Sequence, residues 1–210
     1  MRGRFITVEG TEGVGKSTNL EFIRQQLEAA GIEVVQTREP GGTPLSEDIR
    51  QQLLDHRHTG MSSDCELLLM FAARAEHLAK VIVPALEAGK WVLCDRFTDA
   101  TYAYQGGGRG IDTSRISALE NWVQGELRPD ATLILDVPVE IGLARASQRG
   151  ELDRFEREKE EFFNNVRNAY LSLAEQYPKR IHIIDAAPAL EVVQSQLADV
   201  LKQIMEPNGD

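Results

Sequence analysis

The stretch Gly10-Thr11-Glu12-Gly13-Val14-Gly15-Lys16-Ser17-Thr18 fits the pattern G-x-x-x-x-G-K-[ST]. The apolar run Phe5-Ile6-Thr7-Val8 before it predicts a short β-strand, and apolar residues at helical spacing predict a helix over residues 19–30. Small residues allow backbone N–H groups to point into such a loop, and the helix N-terminus adds partial positive charge. The stretch therefore predicts a site for nucleotide phosphates; the alternative is a glycine-rich turn that binds no phosphate.

Two side chains of this loop have predicted roles that follow from the charge of a nucleotide. Lys16 would reach the β- and γ-phosphate oxygens, and the Ser17 hydroxyl would bind Mg²⁺. The whole loop is predicted to contact the nucleotide, through Gly10, Thr11, Glu12, Gly13, Val14, Gly15, Lys16, Ser17 and Thr18.

The composition restricts the classes of protein. The chain has 210 residues, and we expect a single α/β domain over residues 1–210. The formal net charge of −10 argues against a general binder of nucleic acid or of acidic membranes, so anionic substrates must be held by local clusters of arginine. Cys65 and Cys94 lack the spacing of a metal or redox pair, and no apolar segment suits export or a membrane span. We therefore expect a cytoplasmic protein.

Apolar strands alternate with helices along the chain. Strands are predicted over residues 5–8, 32–36, 91–94, 132–135 and 181–184, and helices over 19–30, 43–55, 63–89, 101–105, 113–125, 139–147, 156–177 and 190–205. The helix over 101–105 is expected to break at Gly106-Gly107-Gly108. The alternation predicts an α/β fold, with a five-stranded parallel sheet covered by helices on both faces.

Polar residues follow four of these strands. They are the loop at Gly10, Arg38-Glu39, Asp95-Arg96 and Asp136. Because ligands of parallel sheets bind beyond the C-terminal ends of the strands, we expect all four groups to meet at one site.

The helix predicted from residue 63 contains an apolar run over residues 67–73. A helix turn that is apolar on every side is buried all round, either in the core or against another chain. Arg74 follows this run directly, and an unpaired charge there would be costly to desolvate. Its partner is either a ligand edge or a buried carboxylate.

Three classes of protein use such a loop: a phosphotransferase for a small molecule, a GTP-dependent switch, and an ATPase linked to nucleic acid. A switch needs a guanine-reading N-K-x-D motif, which the sequence lacks, and the third class is usually larger and basic. A phosphotransferase needs a second site for an anion, which Arg38, Arg50, Arg74 and Arg96 could form.

At this point the chain resembles the thymidylate kinases, which transfer the γ-phosphoryl group of ATP to dTMP. The resemblance covers residues 3–185 in order. Its segments are the glycine loop, Thr37-Arg38-Glu39-Pro40-Gly41-Gly42-Thr43, Leu69-Met70-Phe71-Ala72-Ala73-Arg74, Asp95-Arg96-Phe97, Thr101-Tyr102-Ala103-Tyr104-Gln105-Gly106-Gly107-Gly108-Arg109-Gly110, Leu127-Arg128-Pro129-Asp130 and Arg149-Gly150-Glu151-Leu152-Asp153-Arg154. It implies a P-loop NTPase-type fold, ATP with Mg²⁺, and a homodimer. A kinase for another nucleoside monophosphate, such as dCMP, is the alternative.

The resemblance also implies roles at the phosphate groups. Arg96 would touch the acceptor phosphate and the transferred group, and Arg50 would hold the dTMP phosphate. Asp95 would steady Mg²⁺ together with Ser17. Glu12 would lie near the 3′-hydroxyl of the acceptor. The alternatives are a helix or loop cap for Asp95, a surface ion pair for Arg96 and a solvent-facing position on a helix for Arg50.

Further residues are implied to contact the nucleoside of dTMP. Arg74 would donate to a thymine oxygen, Thr101 and Gln105 would bond the N3/O4 edge, and Tyr104 would pack near C2′. Helix packing is the alternative for Thr101, Tyr104 and Gln105.

Three assignments stay open within the same resemblance. Glu39 would hold water or metal, or would be purely structural. The family places an aromatic residue four positions before the arginine, where this chain has Met70, whereas Phe71 lies three before it. Either Met70 or Phe71 would therefore lie against the thymine face, with core packing as the alternative.

A lid is predicted over residues 147–156, with Gly150 as its hinge. The glycine loop carries Glu12 and no arginine, whereas some relatives have a catalytic arginine there. We therefore expect Arg149 and Arg154 to supply charge to the transition state, alongside Lys16 and Arg96. A solvated charged loop is the alternative.

Overall fold

Five parallel β-strands form the central sheet in the computed structural model, which describes residues 2–147 and 153–206. The strands are β1 (Phe5–Glu9), β2 (Val34–Arg38), β3 (Trp91–Asp95), β4 (Ala131–Asp136) and β5 (Ile181–Asp185). Their order across the sheet is β2-β3-β1-β4-β5, and every neighbouring pair is parallel. The predicted α/β fold with a five-stranded parallel sheet is confirmed.

Helices connect the strands and cover the sheet. They are α1 (Lys16–Ala29), α2 (Pro44–Leu54), α3 (Ser63–His77), α4 (Val83–Glu87), α5 (Thr98–Thr101), α6 (Thr113–Gln124), α7 (Val139–Ala146), α8 (Glu160–Gln176) and α9 (Leu190–Met205). Two π-helical segments, Leu78–Ile82 and Tyr102–Gly108, continue α3 and α5. Among the described helices, none has the length and the apolar character that crossing a bilayer requires.

Alternate residues of the central strands pack on opposite faces of the sheet. In β4, Leu133 and Leu135 join a core cluster with α1 and α9, whereas Ile134 packs with α8. In β1, Ile6 faces the first cluster, and Phe5 packs with α4 and the segment before it. Helices therefore bury both faces, and each fully buried side chain of this size contributes about 1.5–3 kcal/mol.

Helix α1 begins at Lys16, three residues earlier than predicted, and helix α8 begins at Glu160, four residues later. Two further boundaries differ from the prediction because of strand pairing and packing. Strand β2 begins at Val34, two residues later than predicted, because Val34 pairs with Trp91 and Ile32 packs into the core after α1. The helical path after α5 continues through the three glycines instead of breaking there. A Cβ atom at Gly108 would lie 2.4 Å from the ring of Phe162, so glycine allows α8 to approach closely.

The phosphate-loop backbone also touches α7 directly. Gly13 has a φ of 73°, and a Cβ atom there would lie 1.9 Å from the carbonyl oxygen of Gly142. In turn, a Cβ atom at Gly142 would lie 2.5 Å from the carbonyl oxygen of Glu12. The close contact is possible only because both positions are glycine.

Helix α3 is not buried all round by the rest of this chain, so of the two alternatives predicted for residues 67–73 only burial against another chain stays open. Leu67, Phe71 and Arg74 are buried, but Leu68 is 56% exposed and Ala72 is also exposed. One face of α3 is therefore buried in the core of the chain, and a second apolar face is exposed on its surface.

The connections of the sheet place a crevice at its C-terminal edge. Strands β1 and β3 are neighbours in the sheet. The connection after β1 runs to β2, on one side of this pair, and the connection after β3 runs to β4, on the other side. A crevice opens where neighbouring connections diverge in this way, and it is the usual ligand site of such sheets. The glycine loop follows β1, and Asp95-Arg96 ends β3 and follows it.

Candidate active site

A cavity of about 240 Å³ lies in this crevice. Its walls include most residues of the predicted site: Glu12, Gly13, Val14, Gly15, Lys16, Ser17, Glu39, Arg50, Met70, Arg74, Asp95, Arg96, Thr101, Tyr104 and Gln105. The glycine loop forms one end, which we call the phosphate end, and α3 with the segment after α5 forms the other, which we call the base end. Three residues of the predicted glycine loop, Gly10, Thr11 and Thr18, are not part of the wall as the described residues form it.

Lys16 lies at the start of α1, inside the glycine loop. Gly15 caps the helix in the left-handed conformation, with a φ of 87°. The Nζ atom of Lys16 donates to the carbonyl oxygens of Gly10 and Thr11, both at 3.0 Å. Burial and the nearby Arg96 lower the pKa of Lys16, while Glu12 acts in the opposite direction. The ammonium group thus has partners that nucleotide phosphates could replace.

Arg96 and Glu12 form an ion pair across the phosphate end. One guanidinium nitrogen of Arg96 donates to both Glu12 carboxylate oxygens, at 2.9 and 2.7 Å. The Tyr104 hydroxyl donates to the same carboxylate at 2.9 Å, and the guanidinium lies 4.6 Å from the Tyr104 ring. Burial by itself would raise the pKa of Glu12, but Arg96 and Lys16 hold it below its usual value.

The backbone of Arg96 is held in an uncommon conformation. Its φ is 68°, and a residue other than glycine in this region costs about 1–3 kcal/mol. The Arg96 N–H donates to the carbonyl of Val8 at 3.0 Å, and the next N–H, that of Phe97, donates to Glu9 at 2.7 Å. Hydrogen bonds on both sides therefore fix the direction of the Arg96 side chain.

Glu9 is a buried carboxyl group that sequence reasoning missed. Its second oxygen accepts a hydrogen bond from the Tyr170 hydroxyl at 2.7 Å. Burial, with a further contribution from Asp99, raises the pKa of Glu9 to about 8. A neutral Glu9 therefore supports the phosphate end from behind.

Oxygen atoms suited to Mg²⁺ lie beside the loop. The Oδ1 atom of Asp95 is buried and has no hydrogen-bond partner among the described residues, and Ser17 lines the same cavity. No cluster of three His, Cys, Asp or Glu side chains suited to a metal occurs in the part of the chain described. A carboxylate and a hydroxyl fit Mg²⁺ bound together with nucleotide phosphates, because this ion keeps water and phosphate oxygens as its other ligands.

At the base end, Arg74 is nearly inaccessible to solvent. Its Nε atom donates to Glu39 at 2.7 Å, and one terminal nitrogen donates to the Thr101 hydroxyl at 2.9 Å. The other terminal nitrogen is buried and has no partner among the described residues. The rings of Phe71 and Phe97 lie 4.7 and 4.9 Å from the guanidinium. This terminal nitrogen, which carries two N–H groups, is therefore left for a ligand.

Glu39 lines the cavity and supports Arg74 there. Its second oxygen lies 3.0 Å from His77 Nδ1, and the other ring nitrogen of His77 lies 2.7 Å from the Thr37 hydroxyl. Both oxygens of Glu39 are occupied, so the geometry favours the structural alternative over a role in holding water or metal.

The two candidates for contact with thymine differ in position. Met70 lies on the cavity wall. Phe71 is 2% exposed and packs with Leu67, Ile111 and Ile116, and it does not line the cavity. The Phe71 ring packs against the Arg74 guanidinium, so Met70 is the candidate that can contact a ligand.

Gln105 lies on the wall with its amide fixed from behind. Its Nε2 atom donates to Glu66 at 2.8 Å, and the Glu66 carboxylate is buried. Glu66 was missed from the sequence, although Glu66, Met70 and Arg74 are spaced four apart and therefore share one face of α3.

Several predicted residues lie elsewhere. Arg154 is buried, with its Nε donating to the Leu53 carbonyl at 2.7 Å and a terminal nitrogen 2.7 Å from Glu66, and it does not line the cavity. Asp136 pairs with Arg167 at 2.7 Å instead of joining the site. Arg149 and Gly150 lie outside the described residues.

Arg50 is brought to the site as predicted. It lines the cavity and donates to the carbonyl of Pro40 at 2.9 Å. Within the described residues, Arg50 makes no ion pair. Burial and the like charge of Arg38 lower its pKa. A partly desolvated cation of this kind favours an anionic ligand.

Comparison with known proteins agrees with this geometry. The family model described as Thymidylate kinase matches residues 8–197. This chain belongs to the thymidylate kinase family. A thymidylate kinase of Pseudomonas fluorescens is 63% identical over 206 residues, and one of Pseudomonas syringae pv. tomato is 60% identical, with 98% of each chain covered in both cases. The crystal structure of thymidylate kinase from Ehrlichia chaffeensis is similar with a TM-score of 0.78 and 36% identity, covering 96% of this chain and 100% of that one.

Membership of the thymidylate kinase family confirms three predictions. The family, the P-loop NTPase-type fold and the enzyme are as expected. The chain is an ATP-dependent kinase that phosphorylates dTMP to dTDP.

Proposed function

We propose that the cavity carries out this reaction with ATP phosphates at the phosphate end and thymine at the base end. The observation that carries the assignment is one cavity with Lys16 at one end and an unpaired donor of Arg74 at the other. A 4-oxo pyrimidine offers an acceptor oxygen to that donor. The acceptor phosphate of dTMP would then lie between the two ends, beside Arg50 and Arg96.

The proposed chemistry needs positioning and charge neutralisation. A phosphate oxygen of dTMP is already ionised and attacks the γ-phosphorus, so no general base is required. The bond between the γ-phosphorus and the β,γ-bridging oxygen breaks, which gives dTDP and leaves ADP with the bridging oxygen. Lys16 and Arg96 would exchange their present partners for phosphate oxygens as negative charge spreads over the transferred group. Mg²⁺, when bound with ATP at Ser17 and Asp95, would neutralise part of the phosphate charge.

Glu12 and Tyr104 would face the sugar of dTMP in this proposal. The Tyr104 hydroxyl holds Glu12, and its ring supports Arg96, so the two residues and the arginine form one connected wall. We assign Arg154 to support of Glu66 in this conformation and keep Arg149 as the proposed lid cation. The cytoplasm is the proposed location, since nucleotide precursors of DNA are made there.

A measurement of ADP release with MgATP over the common nucleoside monophosphates tests the assignment. We expect dTMP to be the best acceptor, ahead of dCMP and of the ribose form of TMP, because the donor at Arg74 would meet an amino group in cytosine. A preference for GTP without any acceptor would instead indicate a switch protein, and stimulation by DNA or RNA would indicate a nucleic-acid ATPase. Equal kcat/KM for dTMP and dCMP would exclude thymine from the base end.

We also propose that two copies of the chain associate through the exposed face of α3. Leu68 and Ala72 lie on it, and Trp122 of the neighbouring α6 is 83% exposed. Exposed apolar side chains grouped on packed helices favour association. Light scattering at micromolar concentration should give twice the chain mass, and Leu68→Asp should give the monomer mass. Monomer mass for the unchanged chain would contradict the homodimer.

A further inference from the structure

Glu66 lies behind the wall of the base end, where three polar side chains converge on its carboxylate. Oε1 accepts from the Gln105 amide nitrogen at 2.8 Å and from Arg109 Nε at 3.2 Å. Oε2 lies 2.7 Å from a terminal nitrogen of Arg154 and accepts from Arg109 at 3.3 Å. Glu66 is fully buried, so its charge depends on these partners alone.

An ionised carboxylate accepts hydrogen bonds and donates none. Gln105 carries a donor and an acceptor on one planar amide, and only its NH₂ group can face Glu66. The carbonyl oxygen of Gln105 must therefore point the other way, and Gln105 lines the cavity. The cavity thus receives an acceptor from Gln105 and a donor from Arg74.

This pair of groups is complementary to one class of base. A 4-oxo pyrimidine has a donor at N3–H and an acceptor at O4, whereas a 4-amino pyrimidine has an acceptor at N3 and a donor at the amino group. We propose that Glu66 is a specificity-determining residue, which fixes the orientation of the Gln105 amide and thereby favours dTMP over dCMP. This inference rests on the proposed contact of Gln105 with the base.

The substitution Glu66→Gln tests the orientation with little change in shape. Its amide oxygen should stay at the Oε2 position, because nitrogens of two cations lie there, Arg154 at 2.7 Å and Arg109 at 3.3 Å, whereas only Arg109 Nε, at 3.2 Å, lies at Oε1. Its NH₂ group then occupies the Oε1 position and faces Gln105. The Gln105 amide is expected to turn over and present its own NH₂ group to the cavity, which matches N3 of cytosine.

The measured quantity is the ratio of kcat/KM for dTMP to that for dCMP. The second readout is the ratio of the dissociation constant for dCMP to that for dTMP, measured by calorimetry. We expect Glu66→Gln to lower both ratios about tenfold or more. Arg109→Gln is the matched control, because it removes a cation from Glu66 and leaves the carboxylate in place. The control should lose stability and keep both ratios. If Glu66→Gln is too unstable to purify, Glu66→Asp, which keeps an acceptor-only group, should retain the preference for dTMP, and its loss there would overturn the inference.

Gln105→Ala separates the inference from the proposed base contact. If Gln105→Ala lowers the ratios and Glu66→Gln leaves them within twofold, Gln105 reads the base but Glu66 does not orient it, and the inference is overturned. If Gln105→Ala itself leaves both ratios unchanged, the proposed base contact fails and the inference fails with it.

Discussion

The two ends of the cavity hold their charges in different ways. At the phosphate end, Lys16 donates to loop carbonyls and Arg96 donates to Glu12, all of which line or adjoin the space that a ligand would fill. At the base end, Arg74 is held by Glu39 on the cavity wall, and Glu39 is held in turn by His77 behind the wall. The first set can exchange partners when phosphates bind, whereas the second set is complete except for one donor.

This difference is expected if phosphates bind at one end and a base at the other, as proposed above. A group that stabilises charge during the reaction must be able to move its hydrogen bonds to the transferred phosphoryl group. A group that reads a base must keep one orientation, because an unpaired polar atom then rejects the wrong ligand. We therefore expect substitutions at the phosphate end to affect rate and substitutions at the base end to affect both stability and selectivity.

The largest expected effect on stability is that of Arg74→Met. The Arg74–Glu39 pair is almost fully buried, with side chains 3% and 4% exposed, so the substitution leaves a carboxylate without its main partner. The free energy of unfolding should fall by about 3–5 kcal/mol in urea denaturation. Arg38→Met is the matched control, since the Arg38–Glu47 pair is 52% and 34% exposed and should contribute at most about 1 kcal/mol. Equal losses for both variants would show that the base end is not rigidly paired.

Lys16→Ala should have the opposite profile. The loop carbonyls that Lys16 contacts can bond to water instead, so the free energy of unfolding should fall little. The nucleotide phosphates, however, would lose their main proposed cation. We expect kcat to fall by about 10²–10³-fold in a steady-state assay. Lys90→Ala, which removes a surface lysine paired with Glu33, should leave kcat unchanged. Activity of Lys16→Ala within a few-fold of the parent would refute the role of the loop.

Glu9 should have a smaller effect on the free energy of unfolding, and this effect depends on pH. Its pKa is raised from 4.5 to about 8 in the folded chain, so folding binds a proton. The stability that this proton provides is complete below pH 4.5 and is lost as the pH rises towards 8. Relative to Glu9→Gln, which does not titrate, the parent should lose about 2 kcal/mol of unfolding free energy between pH 6 and pH 8. Glu28→Gln on the surface should keep the pH slope of the parent, and an unchanged slope for Glu9→Gln would mean that Glu9 is ionised.

Local patterns in the sequence predict the parts of the site that lie in one segment. The glycine loop, the strand ends and Arg74 after its apolar run all belong to this group, because spacing along the chain sets their position. Pairing between distant segments is not visible in this way. The Arg154–Glu66 and Asp136–Arg167 pairs each join residues far apart, and they account for two predicted site residues that lie outside the cavity.

The buried carboxyl groups that support the site, Glu9 and Glu66, are not predicted from the sequence for the same reason. In the sequence, Glu9 follows the apolar strand predicted over residues 5–8, and Glu66 is a polar residue near the predicted start of a helix. The three glycines at 106–108 have the local signature of a helix end, yet contact with α8 decides their role. Each of these outcomes depends on a neighbour that only the folded chain supplies.

The contact of Gly13 with Gly142 has a consequence for how this sequence can change over generations. Each position excludes a side chain because of the backbone at the other, so no single replacement at either one is free of a steric clash. A tolerated substitution at either position would require α7 to shift first, and α7 is held in place by its buried residues Val139 and Ala146. Evolutionary change in the glycine loop is therefore coupled to change in α7, a helix that takes no part in the chemistry.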